Sequence, residues 1–249
     1  MPGGMGRGER KMPPPRSGQA ALNKAGSIYY PSAMPILDGP RLLPRHGKPE
    51  QLVLLLHGYG ADGNDLIGLA PEWQPLLPQA EFLSPHAPFP CEAAPFGRQW
   101  FGFQGRAREE VLEGVKKAAS ILDQFITESL AARGMEESKL ALVGFSQGAM
   151  MSLYVSLRRA KPVAGVVAYS GRLFAAEALA VELKSKPKIL LVHGDADQVV
   201  EPQAHPQALS TLQAAGVAVQ GMLRPGLGHG IDAEGLNRGG EFLKAAFGV

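Results

Sequence analysis

The residues with the clearest chemical potential are a serine, an aspartate and a histidine that follow one another along the chain. Ser146 lies at the centre of Gly144-Phe145-Ser146-Gln147-Gly148, a G-x-S-x-G pattern. Asp197 follows the apolar run 189–192, and His229 lies in a later glycine-rich loop. These three residue types cooperate in acyl transfer, because the histidine removes the serine proton while the aspartate orients the imidazole. The set predicts nucleophilic attack on an acyl carbonyl.

The surroundings of Ser146 are those of a nucleophile elbow. The apolar run 140–143 has the length of a buried strand, and residues 149–154 resemble a helix start. A sharp turn between them crowds the backbone, so the positions two before and two after the serine, Gly144 and Gly148, need little bulk. The helix also directs free N–H groups and the positive end of its dipole at the serine. An ordinary serine in a small-residue turn is the alternative, which the flanking strand and helix disfavour.

Two aspartates compete for the role of the acid. Asp195 and Asp197 both follow a predicted buried strand, and open parallel sheets display functional groups at the carboxyl ends of strands. We favour Asp197, because it is farther from the strand end and precedes residues 198–200, where the chain turns into the next helix. Asp195 is expected to bond to loop backbone. The order Ser146, Asp197, His229 is the one expected for this architecture.

An oxyanion intermediate requires two preorganised N–H donors. The backbone N–H of Gln147, directly after the nucleophile, is the first candidate. The second is expected from the glycine-rich loop 57–63, and Tyr59 is preferred because the flanking Gly58 and Gly60 let the backbone approach closely. The loop lacks the Lys-Ser/Thr ending of a P-loop, so a phosphate cradle is not expected.

The remaining histidines are assigned structural or solvated positions. His57 is expected to brace the glycine-rich loop, and His193 to begin a loop of its own. The other three, His46, His86 and His205, fall in turn-rich or exposed stretches and are expected to be solvated. No pair of histidines has metal-ligand spacing with carboxylates, so neither a metal nor a cofactor is predicted.

Strands that alternate with helices must position these residues. Predicted strands lie at residues 36–43, 50–57, 81–84, 140–143, 163–169, 189–192 and 217–223. Predicted helices lie at residues 64–69, 108–133 and 203–215. Two more are predicted, one directly after Ser146 and one from Ile231 onwards. Gly134 is the predicted C-cap of the helix 108–133. The alternation predicts an α/β fold with a mostly parallel central sheet and helices on both faces. Prolines place the first strand at an edge.

Length and charge indicate one α/β domain with an appendage. Residues 1–48 hold eight Lys or Arg and two Asp or Glu, out of 25 and 23 in the 249-residue chain, so the body is mildly acidic. Residues 1–35 are rich in Gly, Pro and basic residues and are predicted to be a disordered arm, followed by a catalytic domain at 36–249. No basic face suggests nucleic-acid binding.

Composition also limits the compartment. The single cysteine, Cys91, excludes an intrachain disulfide. No apolar run reaches the length of about 18 residues that indicates a membrane span. Residues 1–30 lack the apolar core of a secretory signal. A cytoplasmic protein without stable membrane insertion is expected.

Six ordered segments together resemble the phospholipase/carboxylesterase family of α/β-hydrolases, which includes acyl-protein thioesterases. The segments are Leu56–Gly63, Gln99–Phe101, Gly144–Gly148, Tyr169–Leu173, His193–Val200 and Gly228–Gly230. The resemblance implies an α/β-hydrolase fold without a large cap domain, and a serine esterase for carboxylic esters or thioesters. It implies the triad Ser146, Asp197 and His229, with Tyr59 and Gln147 as oxyanion residues.

For the substrate pocket, the resemblance implies Trp100 as a wall of the acyl site, with core packing as the alternative. Leu66 and Arg172 are expected to border the cleft. The arm is not part of the family pattern. Whether the short charged segment 102–108 forms a lid stays an open question. Long-chain acyl-protein or lysophospholipid substrates therefore stay an alternative. Family members often pair near the active site, which implies a homodimer.

Other functions compete with the esterase. A dienelactone-hydrolase-like enzyme would place a cysteine at the elbow, where this chain has Ser146. A peptidase of the same fold often carries extra domains, for which the chain is short. A catalytically silent acyl-binding module is the alternative from another class, and the intact serine, aspartate and histidine argue against it. The predicted function is hydrolysis of small to medium carboxylic esters, with a small-molecule ester as partner.

Overall fold

A computed structural model describes residues 21–22, 28–29 and 37–249. The chain separates into two units, residues 1–35 and 36–249. The first unit contains a two-residue antiparallel pair, β1 (Ala21–Leu22) with β2 (Ile28–Tyr29). The rest of the arm that was predicted to be disordered lies outside the described residues.

The second unit is built on a central sheet. Its strands are β3 (Arg41–Leu42), β4 (Gln51–Leu56), β5 (Ala80–Leu83), β6 (Phe89–Pro90), β7 (Arg98–Gln99), β8 (Leu140–Phe145), β9 (Gly165–Tyr169), β10 (Lys188–Gly194) and β11 (Val219–Arg224). Seven of them form one sheet in the order β11-β10-β9-β8-β4-β5-β3. Neighbouring strands are parallel, except that β3 runs antiparallel to β5. The predicted α/β fold with a mostly parallel sheet is confirmed.

Helices connect the strands. They are α1 (Gly63–Leu66), α2 (Ala70–Trp73), α3 (Arg108–Arg133), α4 (Gln147–Ser156), α5 (Leu179–Glu182), α6 (Ala204–Ala214) and α7 (Ala233–Phe247), with 3-10 turns at Ile67–Leu69, Glu137–Lys139 and Ala176–Ala178. Gly134 caps the C-terminus of helix α3 in the left-handed conformation with φ 62°, as predicted. No helix within the described residues is both long and apolar enough to cross a membrane.

Two apolar clusters cover the two faces of the sheet. Side chains along a strand alternate between faces, so Leu52, Leu54 and Leu56 of β4 join one cluster while Val53 and Leu55 join the other. Residues of α3, α4 and α6 complete the first cluster, and residues of α2 and α7 complete the second. Every residue of β4 is buried, which explains the continuous apolar run in its sequence.

The predicted first strand, 36–43, is much shorter in the structure. In its described part, residues 37–43, the two residues that pair are Arg41 and Leu42, with Leu83 and Phe82 of β5. Proline cannot donate to a ladder, and Pro40 and Pro44 bound the two paired residues. The predicted edge position of this strand is confirmed, because β3 ends the sheet order.

The predicted helix 64–69 is split into short pieces. The α-helical turn α1 continues as the 3-10 turn Ile67–Leu69, and α2 begins directly afterwards at Ala70. Pro71 has no backbone N–H, so it cannot continue an α-helical hydrogen-bond ladder from the preceding turn. The chain therefore changes helix type before it.

The proline-rich segment 85–100, where no strand or helix was predicted, contains a small hairpin of β6 and β7. Arg98 stabilises it, because its Nε and Nη2 groups donate to the carbonyl oxygens of Ala87 and Pro88 at 2.8 and 3.1 Å. Strands of two residues are too short to show the alternation of apolar and polar residues by which a strand is recognised in a sequence. The hairpin therefore had no sequence signal.

Candidate active site

The turn between β8 and α4 holds Ser146 in a strained conformation. Its φ of 53° and ψ of −116° fall where residues with a Cβ are rarely found. A Cβ on Gly144 would lie 2.3 Å from the carbonyl carbon of Gly148, and a Cβ on Gly148 would lie 1.8 Å from the carbonyl oxygen of Leu56. The tight turn therefore requires both glycines, as the elbow pattern predicted. Ser146 itself is 8% exposed.

Asp197 and His229 are brought together from different loops. The Nδ1–H group of His229 donates to Oδ2 of Asp197 at 2.8 Å. The other carboxylate oxygen, Oδ1, accepts from the backbone N–H groups of Val199 and Val200 at 2.8 and 3.0 Å. Burial alone would raise the pKa of Asp197, but the hydrogen bonds from His229, Val200 and Val199 outweigh it and lower the pKa. The carboxylate is thus held ionised against the imidazole.

The competing acid, Asp195, is placed elsewhere. Its Oδ1 accepts a 2.7 Å hydrogen bond from the backbone N–H of Gly226, as the sequence argument expected. Asp197, by contrast, is in contact with a second histidine, His193. Nε2 of His193 lies 3.3 Å from Oδ2 of Asp197 and 3.0 Å from the carbonyl oxygen of Val200. Asp197 therefore contacts two imidazoles, and Asp195 supports the loop that carries His229.

A cleft of about 530 Å³ extends from the elbow at Ser146 to His229. Ser146 and His229 both line it, together with Tyr59 and Gln147. The rest of its surface is mostly apolar and includes Phe101, Phe103, Val111, Phe145, Met150, Phe174, Val199 and Val200. The cleft thus combines an apolar wall with the candidate nucleophile and the candidate base, an arrangement that suits an uncharged acyl group.

The loop after β4 brings its backbone close to the serine. A Cβ on Gly58 would lie 3.4 Å from the Cβ of Ser146, so this loop and the elbow are in contact. Gly60 adopts a φ of 82°, and its N–H donates to the carbonyl oxygen of Arg98 at 3.0 Å. The small hairpin thus fixes the loop beside Ser146. Tyr59 and Gln147 both lie at the cleft, where their backbone N–H groups were predicted to receive an oxyanion.

The side chain of Gln147 has a role that the sequence reasoning missed. Its Oε1 accepts from the backbone N–H of Trp100, and its Nε2 donates to the carbonyl oxygen of Phe101, both at 2.7 Å. All groups involved are buried. The first residue of α4 therefore fixes the segment that supplies one wall of the cleft. A glutamine at this position could have suggested such a bond, but its partner lies 46 residues away.

Two predicted pocket residues do not line the cleft. The Trp100 side chain is 0% exposed and donates from Nε1 to the carbonyl oxygen of His57 at 3.0 Å, so it supports the wall from behind. Leu66 packs into the apolar cluster on the opposite face of the sheet. Phe101 and Asp65, each one residue away in sequence, take their places at the cleft. Arg172, the third predicted pocket residue, lines the cleft.

The other histidines hold structural positions, and one of them differs from its prediction. His57 is fully buried, accepts the Ala87 N–H at Nε2 and donates from Nδ1 to the Gly58 carbonyl, at 2.9 and 2.8 Å. Burial lowers its pKa to about 4, so it is neutral. The solvated position predicted for His205 is wrong, because the inner face of α6 buries it against Gly221. His86 is also tied down, since its Nδ1 accepts the Gly63 N–H at 3.1 Å.

The segment 102–108, whose role as a lid the sequence did not decide, lies at the cleft. Phe103 lines the cleft and contacts the Tyr59 ring with centroids 4.6 Å apart. Arg106 forms an ion pair with Glu92. The segment thus covers one side of the glycine-rich loop 57–63. Among the residues that the structure describes, no group of three or more His, Cys, Asp or Glu side chains is arranged to hold a metal.

Comparison with known families identifies a match over nearly the whole second unit. The family model described as Phospholipase/Carboxylesterase matches residues 38–247. This range includes the sheet, the elbow and both loops that carry Asp197 and His229. The match therefore covers every residue of the candidate site.

Individual proteins show the same likeness. Acyl-protein thioesterase 1 of Neurospora crassa is 28% identical over 222 residues, which cover 82% of this chain and 90% of that protein. Esterase YpfH of Escherichia coli is 31% identical over 184 residues, covering 74% and 77%. The crystal structure of esterase PE8 superposes with a TM-score of 0.81 at 40% identity, covering 84% of this chain and 99% of the other.

Proposed function

Because the chain belongs to the phospholipase/carboxylesterase family of α/β-hydrolases and is a carboxylic ester hydrolase, we propose that it cleaves esters of small to medium acyl chains through Ser146, His229 and Asp197. The observation that carries the proposal is the 2.8 Å bond from His229 Nδ1 to the buried Asp197 carboxylate, beside the cleft that Ser146 lines. This bond leaves Nε2 of His229 as the ring nitrogen for proton transfer.

In the proposed acylation step, Ser146 Oγ attacks the acyl carbon and its proton moves to Nε2 of His229. The negative carboxylate of Asp197 stabilises the imidazolium that forms. The carbonyl oxygen becomes an oxyanion and accepts hydrogen bonds from the backbone N–H groups of Tyr59 and Gln147. When the tetrahedral intermediate collapses, the bond to the alcohol oxygen breaks, and His229 returns the proton to that oxygen.

In the proposed deacylation step, water replaces the alcohol. His229 takes one water proton as the oxygen attacks the acyl-enzyme carbonyl, and the same N–H donors receive the second oxyanion. Collapse breaks the bond to Ser146 Oγ, which regains its proton from His229. The carboxylic acid leaves and the enzyme is restored, so no cofactor is consumed.

The size and lining of the cleft support small to medium acyl chains. Its volume of about 530 Å³ is within the range of small-molecule sites, and its surface is mostly apolar. Relatives named acyl-protein thioesterase support a second candidate, cleavage of long-chain thioesters. A silent acyl-binding module is the third, and the Asp197–His229 pair weighs against it, since binding alone does not need it.

A series of p-nitrophenyl esters from acetate to palmitate tests the proposal, with Ser146→Ala as the control. We expect the highest kcat/KM at butyrate or hexanoate and loss of activity in the variant. A maximum at palmitate would favour the long-chain candidate, and a matched series of acyl thioesters would separate ester from thioester preference. No activity at any length, together with no labelling of Ser146 by a fluorophosphonate, would favour the binding module.

The proposal extends to the setting of the enzyme. We propose a cytoplasmic location, a small-molecule ester as the partner, no nucleic-acid binding and no stable membrane insertion. We also propose a homodimer. Light scattering tests the dimer, and a monomer at the concentration used in the assay would remove it.

A further inference from the structure

A second cavity adjoins the catalytic cleft. It measures about 320 Å³ and shares three lining residues with the cleft: Arg108, Arg172 and Phe174. Neither Ser146 nor His229 lines the second cavity, so it is separate from the reacting groups. The three shared residues therefore stand between the two spaces, and we call them the partition.

Two ion pairs hold the arginines of the partition. Arg108 Nη2 lies 2.5 Å from Oε1 of Glu177, and Arg172 Nη2 lies 2.6 Å from Oε2 of Glu201. Both glutamates line the second cavity, and their side chains are 61% and 54% exposed. Ion pairs this exposed contribute little free energy, so they can open at low cost.

The third member, Phe174, is fixed from two sides. Its ring meets the ring of Phe101 edge-on, with centroids 5.4 Å apart. The chain around it is strained, because Ser170 and Ala175 have φ values of 49° and 51°. Gly171 packs so closely on α4 that a Cβ would lie 2.7 Å from the Cβ of Ala149. The segment after β9 thus packs against α4 at Gly171 and places Phe174 between the cavities, against Phe101.

We propose that this partition ends the acyl pocket and so determines the longest acyl chain that the enzyme accepts. The inference rests on the proposed function and goes beyond it by naming the residues that set chain length. Apolar side chains continue beyond the partition on one part of the second cavity, where Leu112, Leu173, Ala204 and Ala208 line it, and polar side chains such as Gln207 and Thr211 line the rest. An alkyl chain that passes Phe174 therefore finds further apolar surface. With Phe174 in place, the chain has to end within the cleft.

Truncation of Phe174 tests the partition. In Phe174→Ala the two cavities join, and the preferred p-nitrophenyl ester shifts from the wild-type optimum to longer chains. Each methylene group buried beyond position 174 raises kcat/KM by up to about fourfold. Leu112→Ala is the matched control, since Leu112 lines only the second cavity. It enlarges that cavity without removing the partition, so its optimum stays at the wild-type length.

The ion pairs have their own test. The double variant Glu177→Gln, Glu201→Gln removes both carboxylates and releases the two arginines. It is expected to raise the rate on long chains by a few-fold, less than Phe174→Ala does. If Phe174→Ala destroys the fold, Phe174→Leu is measured instead, with a smaller shift expected.

Two results overturn the inference. The first is an unchanged chain-length optimum in the folded Phe174 variants, and the second is an equal shift in Leu112→Ala. These results differ from a failure of the proposed function, which would appear in the wild type as absence of hydrolysis or as activity that survives Ser146→Ala. The same ester series therefore reports on both proposals separately.

Discussion

Gln147 accepts a 2.7 Å hydrogen bond from the backbone N–H of Trp100 through its side-chain oxygen. The same residue is the first in α4, and its own backbone N–H is the proposed oxyanion donor beside Ser146. One residue therefore connects the nucleophile turn to the segment that carries the Phe101 wall. A shift of that segment would change both the acyl pocket and the direction of an oxyanion donor.

Gln147→Ala should lower stability more than an exposed truncation, because it leaves the buried N–H of Trp100 without a partner. We expect a loss of about 1–3 kcal/mol in the free energy of unfolding. Urea denaturation measures it, with Gln124→Ala as the control, since the exposed Gln124 amide donates to Glu128 at the surface. The control should change by less than about 0.5 kcal/mol. Equal losses in the two variants would contradict a structural role for the Gln147 side chain.

Replacement of each candidate acid by asparagine should separate their roles. Asp197→Asn removes the charge that holds His229, and we expect kcat to fall by about four orders of magnitude. Asp195→Asn keeps an oxygen that can accept from Gly226, so a change of only a few-fold is expected. Steady-state kinetics on one ester measures both. A larger loss at position 195 would reverse the assignment of the acid.

Gly148→Ala should destabilise the elbow severely. The added Cβ would lie 1.8 Å from the carbonyl oxygen of Leu56, a backbone atom that cannot rotate away. The expected cost is about 3 kcal/mol or more, measured by urea denaturation. Gly68→Ala is the control, because its Cβ would meet no atom within 4 Å. It should be neutral or stabilising by about 0.4–1 kcal/mol. A stable Gly148→Ala enzyme would mean that the elbow is less crowded than described.

Acid should destabilise the protein through His57. Burial lowers the pKa of this histidine from 6.5 to about 4, against the opposing effect of its bond to Gly58. The unfolded chain binds a proton between these values and the folded protein does not. The stabilisation of about 3 kcal/mol is therefore complete above pH 6.5 and is lost as the pH falls to about 4. His205, whose pKa burial also lowers, acts in the same direction.

Urea denaturation at a series of pH values measures this effect. His57→Gln cannot take up the proton, so its free energy of unfolding should depend less on pH over the same range. The variant His46→Gln, at an exposed position, should keep the wild-type dependence. A wild-type protein whose stability stayed constant between about pH 6.5 and pH 4 would contradict the neutral, buried state of His57.

Local sequence determined the elements and the elbow. The uninterrupted apolar residues of β4 and β8 gave buried parallel strands, because a strand covered on both faces needs apolar side chains at every position. The two glycines around Ser146 gave the elbow, since a tight turn excludes a Cβ there. The family resemblance drawn from the same segments is confirmed by the match over residues 38–247. These features depend on residues that are close together along the chain, so they can be recognised from the sequence alone.

Only the tertiary structure decided which side chain of each segment faces the cleft. Trp100 and Phe101 are adjacent in sequence, yet Trp100 is buried behind the wall while Phe101 lines the cleft. The backbone N–H of Trp100 donates to the Gln147 side chain, and this bond joins residues 47 apart. The partition likewise arises where α3 meets the segment after β9. Such contacts depend on packing between distant segments, and residue types and local periodicity carry no record of it.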